Sequence, residues 1–302
     1  MLDRRRLIQG AAMLSLAPLS GLGAQERRTL SIVTGGTGGV YYPLGGGLAN
    51  MLAKHVPGWQ ATSEVTGGSV DNLKLIGAKK ADIGFTMADA SLDAAKGEDK
   101  FKGSPVPNRA LAVLYPNRMH VVTVDGTGIA TMKGLEAAGI DKHKAITRER
   151  LGVAESTNAR KDRKIDAYLW VGGLPTAAVT DLAATPGVKI RMVDHAEHVD
   201  AMNAKWGNLY SKGAIPAGTY PGQDKDNPNA DVWNILVVHE GMPEDVAYRI
   251  TKVIFENTAE WATVHAEARS VTLPNQKREN SPVPFHPGAV RYFAERGIKL
   301  GS

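Results

Sequence analysis

The chain has 302 residues, of which 43% are apolar and 22% are charged, a composition ordinary for a globular protein of about two domains. It contains no cysteine, which excludes disulfides, thiol catalysis and cysteine-ligated metals. The formal net charge is +5 and the basic residues are scattered among acidic ones, whereas nucleic-acid binding needs a clustered basic patch, so we expect no nucleic-acid partner.

Residues 1–24 are predicted to form an export signal peptide. Three arginines, Arg4 to Arg6, precede an apolar region that runs from Leu7 to Leu22, and small residues follow up to Ala24. The order Arg-Arg-x-Leu-Ile resembles a twin-arginine signal. A membrane anchor is the alternative, but the segment is too short and too polar for a stable span. We therefore expect a periplasmic protein, cleaved near Ala24 and exported by the twin-arginine or the general route.

The next segment joins a predicted strand, Leu30–Val33, to a predicted helix that starts at Val40. The loop between them is Gly35-Gly36-Thr37-Gly38-Gly39. A strand, a glycine loop and a helix together present free N–H groups and the positive end of a helix dipole to an anion. The candidate ligand contacts are Gly36, Thr37, Gly38, Gly39 and Tyr41.

A tight turn without a ligand is the alternative for this loop. The glycines of Gly45-Gly46-Gly47, inside the predicted helix, indicate that packed backbone or a ligand approaches the helix closely. Neither G-x-G-x-x-G nor G-x-x-x-x-G-K-[ST] is present, so a carboxylate or a small phosphate is favoured over a nucleotide.

A second glycine loop, Thr66-Gly67-Gly68-Ser69, connects a strand at Trp59–Val65 to a second predicted helix. Ser69 is expected to be the N-cap of that helix. Gly68, Ser69 and Asn72 are candidate ligand contacts, and for Ser69 a plain helix cap is the alternative. Two helix N-termini aimed at one point would make a strong carboxylate site.

Ala81–Met87 is predicted to be a buried strand, and Asp89 after it either binds a ligand amine or caps a helix at Ala90. Further strands are expected at Ala110–Tyr115 and Met119–Val124. The order β-α-β-α-β-α-β predicts a sheet rich in parallel strands with helices on its faces.

In the second half, strands are predicted at Arg148–Val153, Ile165–Val171, Val188–Val193 and Val232–Val238. Helices are predicted at Ala154–Arg163, Ala177–Ala184, Ala196–Trp206, Pro243–Ala262 and about Ala289–Arg296. The loop Gly172–Thr176 again leads from a strand to a helix and adds Gly173 and Thr176 as candidate contacts. Ala214–Gly222 is expected to be a segment that crosses between lobes. The pattern predicts an α/β protein of two lobes with a ligand in the cleft.

Four stretches together resemble the TAXI family, the solute-binding subunits of one class of TRAP transporters. They are Gly35–Gly46, Thr66–Leu73, Ile215–Gln223 and Ser281–Ala289, and the resemblance covers nearly all of Thr29–Lys299. It implies a two-lobed periplasmic-binding-protein fold of type II that closes by a hinge. Lobe one would comprise 25–122 and lobe two 123–222, with 223–302 returning mainly onto lobe one.

The resemblance also implies the function. The protein would capture a small carboxylate, such as glutamate, glutamine, 2-oxoglutarate or a dicarboxylate, and deliver it to TRAP-type permease subunits. By this resemblance, the ligand-binding loops of the family correspond to Gly36–Tyr41 and Gly67–Asn72 in this chain. Tyr41 and Tyr220 are the aromatic candidates for stacking on, or hydrogen bonding to, the solute.

The sequence departs from the family pattern after Gly134, where a strand, a glycine-rich loop and the start of a helix are missing. Such a unit needs on the order of 20 residues. We expect a shortened, destabilised lobe two with reduced or altered ligand affinity. A degenerate family member that no longer binds is therefore an alternative.

An exported hydrolase that uses Ser69 is the competing class. Gly67–Asp71 lacks the last glycine of G-x-S-x-G. His195 and His198 could share a helix face, but no H-E-x-x-H motif occurs, and an exposed surface pair is the favoured interpretation. We therefore expect a binding protein without catalysis, cofactor or metal.

Overall fold

The computed structural model describes residues 27–132 and 150–300. The eight strands of this part are β1 Arg28–Val33, β2 Trp59–Glu64, β3 Ile83–Met87, β4 Asn108–Val124, β5 Tyr168–Gly172, β6 Ile190–Met192, β7 Tyr210–Ile215 and β8 Asn227–His239. Its α-helices are α1 Tyr41–His55, α2 Ser69–Gly77, α3 Ala88–Lys96, α4 Val153–Lys161, α5 Ala177–Ala183, α6 Val199–Trp206, α7 Glu244–Glu256, α8 Thr258–Val264 and α9 Pro287–Glu295. Short 3-10 turns lie at Asp99–Phe101, Ala196–His198, Ala266–Ser270, Leu273–Asn275 and Arg278–Asn280.

Two main hydrophobic clusters divide the described residues into lobes. The larger cluster, lobe one, draws its buried side chains from Leu30–Tyr115 and Ile235–Phe293. The smaller cluster, lobe two, draws them from Val122–Tyr220. Strands β4 and β8 run from one lobe to the other, paired antiparallel to each other. The chain therefore crosses between the lobes on two adjacent strands.

The sheet is mixed, and the prediction that it is rich in parallel strands is wrong. Its order is β2-β1-β3-β8-β4-β5, with β6 paired to β4 and β7 paired to β8. Only the β1–β2 and β1–β3 pairs are parallel among the described strands. The crossing strand β8 inserts between β3 and β4 and runs antiparallel to both, a long-range pairing that local patterns do not encode.

Helix α1 shows why lobe one folds as predicted at its N-terminal end. Its apolar stripe, which includes Leu44, Leu48 and Met51, is fully buried. The glycines in it make room for neighbours: a Cβ at Gly45 would lie 2.3 Å from Thr34 Cγ2, and one at Gly47 would lie 3.0 Å from Trp261 Cδ1. At two of the three glycines, Gly45 and Gly47, the close approach inferred from the sequence is therefore made by packed side chains of the protein.

Four element predictions need correction. The two strands predicted at 110–115 and 119–124 are one strand, β4, whose pairing with β8 shifts register between Val113 and Pro116. The helix predicted at 243–262 breaks at Asn257, where φ is −127°. Within 148–153 the described residues form no strand, since Gly152 is the N-cap of α4. The crossing segment predicted from Ala214 overlaps the strand β7, which is held by pairing with β8.

Two predictions fall largely on residues outside the described part of the chain. These are the signal peptide over 1–24 and the shortening after Gly134, which lies within the undescribed residues 133–149. In the described ranges, no helix is long and apolar enough to cross a membrane.

Candidate functional site

A cavity of about 110 Å³ lies where the two lobes meet. Its wall comes from the loops before α1 and α2, the end of β3, the middle of β4, and β5 with the loop after it. The lining residues are Gly35, Gly36, Gly39, Val40, Tyr41, Gly67, Gly68, Ser69, Met87, Tyr115, Asn117, Trp170, Val171, Gly172 and Gly173. None of these lining residues carries a charged side chain.

Both predicted helix N-termini reach this cavity. The N-cap residues Val40 of α1 and Gly68 of α2 line it. The first N–H groups of a helix have no intrahelical partner, and each helix start carries roughly half a positive charge. The wall therefore offers neutral N–H donors and a positive potential without a cationic side chain.

The prediction that Ser69 is the N-cap of α2 is wrong. The cap is Gly68, whose φ of +100° is rarely adopted by residues with a side chain. Ser69 is the first helical residue, and its Oγ accepts a hydrogen bond from the Met87 backbone N–H at 3.1 Å. This bond ties the start of α2 to the end of β3.

A hydrogen-bonded group of side chains forms the floor of the cavity. Asn234 Oδ1 accepts from the Tyr41 hydroxyl and, at 2.7 Å, from Asn117 Nδ2. Asn234 Nδ2 donates to the Tyr115 carbonyl at 3.0 Å. Because Asn117 donates through its nitrogen, the orientation of its amide is fixed and its Oδ1 is left as an acceptor.

Two polar atoms of the lining residues are buried without a hydrogen-bond partner, Tyr115 Oη and Asn117 Oδ1. Burial raises the pKa of Tyr115 well above 10, so the phenol stays protonated and can donate. Burial also raises the pKa of Tyr41, against smaller opposing effects of hydrogen bonds with Ser69 and Asn117. An unpaired buried polar group costs about 1–3 kcal/mol.

The first glycine loop packs directly on lobe two. A Cβ at Gly38 would lie 3.1 Å from Ala178 Cβ and 3.3 Å from Ala154 Cβ. The Ala178 N–H at the start of α5 donates to the Gly38 carbonyl at 3.3 Å. At Gly39 an added Cβ would lie 3.2 Å from the Trp170 ring. The lobes are therefore closed on each other, and glycines allow the contact.

Six of the twelve predicted contact residues line the cavity: Gly36, Gly39, Tyr41, Gly68, Ser69 and Gly173. The other six do not: Thr37, Gly38, Asn72, Asp89, Thr176 and Tyr220. Thr37 is exposed to solvent.

Asn72 and Asp89 make bonds within the protein. Asn72 is fully buried, and its Nδ2 donates to the carbonyls of Thr34 and Phe85 at 2.6 and 2.7 Å. Asp89 Oδ1 accepts from Ala90 N–H at 2.8 Å, and its Oδ2 accepts from the Tyr210 hydroxyl at 3.0 Å. Helix α3 begins at Ala88, so Asp89 bonds within the first turn and does not occupy the cap position.

Thr176 and Tyr220 shape the loop before α5. Thr176 is the N-cap of α5, and its N–H donates to Tyr220 Oη at 3.0 Å. Its hydroxyl donates to the Gly173 carbonyl at 2.8 Å and accepts from Trp170 Nε1 at 3.1 Å. Tyr220 Oη also lies 2.9 Å from His120 Nε2. Thr176 and Tyr220 therefore do not line the cavity themselves. Thr176 holds the lining residues Gly173 and Trp170 in place, and Tyr220 holds Thr176.

His120 in this chain of bonds is fully buried on β4. Burial lowers the pKa of His120 to about 4, so the imidazole is neutral at pH 7. Burial raises the pKa of Tyr220 to about 12. At neutral pH, the hydrogen bond between His120 and Tyr220 therefore joins an uncharged imidazole to an uncharged phenol.

His195 and His198 do not form the expected exposed pair. His195 is 3% exposed, and its Nδ1 lies 2.9 Å from the Val193 carbonyl. Its Nε2 accepts from the Ala230 N–H at 3.3 Å. His198 lies beside Glu197 at the surface. No cluster of three or more potential metal-ligating His, Cys, Asp or Glu residues occurs among the described residues.

Sequence reasoning missed Tyr115, Asn117 and Trp170, which supply the ring walls and the unpaired polar atoms. A signal was present in Tyr115-Pro116-Asn117, which interrupts two strand-like runs. Trp170 precedes Gly172-Gly173 at the end of a strand, where ligands bind in α/β sheets. That these positions converge depends on the pairing of β4 with β5 and β8.

Three solved structures are similar to this chain in fold. The periplasmic binding protein BugD has a TM-score of 0.52 at 13% identity, with 90% of this chain and 94% of that chain covered. MatC from Rhodopseudomonas palustris, solved with bound malate, has a TM-score of 0.51 at 13% identity, with 89% and 97% covered. A binding protein component of an ABC phosphonate transporter from Pseudomonas aeruginosa has a TM-score of 0.50 at 10% identity, with 82% and 80% covered.

The sequence itself matches one family model in two segments, 32–138 and 124–297. Together they span 32–297, which includes every residue that lines the cavity. The chain belongs to the NMT1-like family.

Proposed function

We propose that the protein is an extracytoplasmic solute-binding protein that captures a small carboxylate. The observation that carries this proposal is the convergence of two helix N-termini on a cavity between the lobes with no charged side chain in its wall. Such a wall attracts one anionic group and holds it through backbone N–H groups. Asp71, the acidic residue in the first turn of α2, is exposed and does not line the cavity.

A thermal-shift screen of the chain from Gln25 tests the proposal. A ligand that binds only the folded state raises the melting temperature, by an amount that grows with its concentration over Kd. We expect a rise with small carboxylates and none with matched amides. Ser69→Ala should reduce the shift because Ser69 lines the cavity, whereas the matched variant Thr37→Ala, on the exposed part of the first loop, should leave it unchanged. No shift with any carboxylate would refute carboxylate binding and favour a degenerate family member.

The resemblance to TAXI proteins supports a TRAP-type permease as the partner of the solute-bound protein. In that case uptake of the solute in the native host requires an ion gradient and continues when ATP is depleted. Uptake that stops with ATP depletion alone would assign the protein to an ABC-type transporter instead.

Export to the periplasm rests on the sequence of residues 1–24. Cell fractionation should find the mature chain in the periplasm, and Arg4→Lys with Arg5→Lys should retain it in the cytoplasm if the twin-arginine route is used. Periplasmic export that survives this double substitution would assign the general route.

The shortening of lobe two after Gly134 is also a proposal. The family match is split into two segments that overlap over 124–138, which supports an interruption of the family pattern there. Broad or two-step thermal unfolding would agree with a weakened lobe two. A single sharp transition together with ordinary affinity would refute the destabilisation.

An exported hydrolase built on Ser69 has less support. Ser69 Oγ accepts a hydrogen bond from a backbone N–H, and no histidine is among the residues that line the cavity. A serine nucleophile needs an adjacent base to activate it. Hydrolysis of a p-nitrophenyl ester panel that Ser69→Ala abolishes would revive this alternative.

A further inference from the structure

Two side chains of lobe one bind the backbone of a lobe-two loop beside the cavity. His265 is the N-cap of the 3-10 turn Ala266–Ser270, and Glu267 lies within that turn. Ala268 of the same turn is part of the lobe-one cluster. Leu174, in the loop after β5, packs against the lobe-two cluster. Hydrogen bonds between the turn and the loop therefore cross from one lobe to the other.

Glu267 accepts a hydrogen bond from this loop. Its Oε1 accepts from the Leu174 N–H at 2.6 Å. Glu267 is half-buried, and burial raises the pKa of its carboxyl group, whereas the bond from Leu174 acts in the opposite direction. A hydrogen bond to an ionised group contributes more than one between neutral groups. Because the donor and the acceptor belong to different lobes, this contribution is made while the lobes are in contact.

His265 binds the next residue of the same loop. Its Nδ1 accepts from the Glu267 N–H at 3.2 Å, so the ring proton is on Nε2. Nε2 then donates to the Pro175 carbonyl at 3.4 Å. Burial lowers the pKa of His265, so the imidazole is neutral at pH 7, as this tautomer requires. Lobe one thus supplies an acceptor and a donor to two consecutive residues of lobe two.

A glycine allows the loop to come this close. A Cβ at Gly173 would lie 3.0 Å from Glu267 Cγ and 2.7 Å from Tyr115 Cε2. Gly173 also lines the cavity, directly before the residue that Glu267 binds. The bonds from lobe one therefore fix the position of a lining residue as well as joining the lobes.

We propose that His265 and Glu267 are positioning residues that hold the two lobes in the closed state, and we call this pair the interlobe clamp. The inference goes beyond the proposed function, since it does not depend on which solute is bound. Bonds that are made in one state only shift the equilibrium toward that state. Loss of the clamp should therefore depopulate the closed form and weaken the apparent affinity for any solute that needs it.

Amide hydrogen exchange, measured by NMR on the ligand-free chain from Gln25, tests the clamp. The Leu174 N–H donates to Glu267, and the Ala178 N–H, in the first turn of α5, donates across the cleft to the Gly38 carbonyl. We expect both amides to be protected in the wild type. Glu267→Leu should accelerate exchange at both by at least about tenfold, because the closed state loses a hydrogen bond to a charged group.

Two conservative variants separate the clamp from local effects. Glu267→Gln keeps a side-chain oxygen that can accept from Leu174, and should keep the exchange rate of the Ala178 amide within about threefold of the wild type. His265→Asn keeps an acceptor for the N-cap, but its shorter side chain no longer reaches Pro175. It should accelerate exchange at Ala178 by about threefold, the effect of one neutral hydrogen bond.

Glu260→Leu is the matched control. It makes the same change in a carboxylate of lobe one that bonds Lys54 and His55 of the same lobe, away from the loop at 172–176. Exchange of the Leu174 and Ala178 amides should be unchanged in this variant.

The outcomes decide between a clamp and a local bond. Faster exchange at Leu174 alone in Glu267→Leu would overturn the clamp, and so would a Leu174 amide that is unprotected in the wild type. Equal acceleration at Ala178 in Glu267→Leu and Glu260→Leu would overturn it as well. The measurement contains no ligand, so its failure is separate from failure of the carboxylate screen. No thermal shift with any carboxylate, with both amides exchanging as expected, would refute the proposed function and leave the clamp intact.

Discussion

Substitution of Gly38 by leucine should disfavour closure of the lobes without unfolding either of them. A Cβ at this position already lies 3.1 to 3.3 Å from Ala178, Ala154 and Val153 of lobe two. The further three carbons of leucine have no space unless the lobes separate. Overpacking of this kind costs about 1–3 kcal/mol, and here the cost falls on the closed state only.

That cost converts directly into affinity. Because every 1.4 kcal/mol is a factor of ten, the closed state becomes roughly 5- to 150-fold less populated relative to the open one. The apparent Kd rises by the same factor where the open state dominates. We expect this loss by isothermal titration, together with a larger radius of gyration in small-angle scattering without ligand, which only higher ligand concentrations than in the wild type should reduce.

Gly46→Leu in α1 is the matched control. A Cβ there meets nothing within 4 Å, so the same change in size falls on open space. It should leave affinity unchanged, with a gain of up to about 1 kcal/mol in stability from higher helix propensity. Unchanged affinity of Gly38→Leu would refute the argument that this glycine permits closure. A large fall in the melting temperature of ligand-free Gly38→Leu would show that the loop is needed for folding instead.

Three further changes test other contacts. Gln276→Leu should lower the free energy of unfolding, measured in urea, by about 3 kcal/mol. The Gln276 side chain pairs with both the N–H and the carbonyl of Val113, and both backbone groups would lose this partner. A loss below about 1 kcal/mol would contradict this. The pKa of His120 is lowered to about 4 in the folded protein, so unfolding between pH 6.5 and 4 takes up a proton and acidification destabilises the fold. Burial raises the pKa of Asp231 to about 6, so below that pH the folded protein binds the proton more tightly and acidification stabilises the fold. Asp231→Asn should therefore melt at a temperature that falls more steeply from pH 7 to 5 than in the wild type, and an equal slope would refute the compensation. Tyr210→Phe, which removes the bond at 3.0 Å to the α3 carboxylate, should reduce stability by about 1 kcal/mol and is checked by differential scanning calorimetry.

The part of the candidate site that could be predicted consists of residues in glycine loops next to a helix start, where the backbone rather than a side chain faces the ligand. Gly36, Gly39, Gly68 and Ser69 line the cavity, as expected for loops whose helix starts present backbone N–H groups to a ligand. Polar residues near such loops could not be assigned in the same way. Asn72 has the right position in sequence, but its amide joins Thr34, the residue after β1, to Phe85 in β3.

The sequence by itself determined the alternating strands and helices from β1 to α3 and the apolar stripe of α1, since these depend on the 3.6-residue and 2-residue periods of local structure. It also determined that no cysteine chemistry is available. It indicated two lobes through the restart of the pattern after 125.

Only the tertiary structure decided how the two halves meet. The insertion of β8 between β3 and β4 brings Asn234 beneath Asn117 and Tyr115, over more than a hundred residues of separation. Gly38, next to the lining residue Gly39, contacts α5 of lobe two. Hydrogen-bond partners and cavity volume arise from long-range packing, whose geometry depends on all the surrounding side chains at once, so no local pattern in the sequence encodes them.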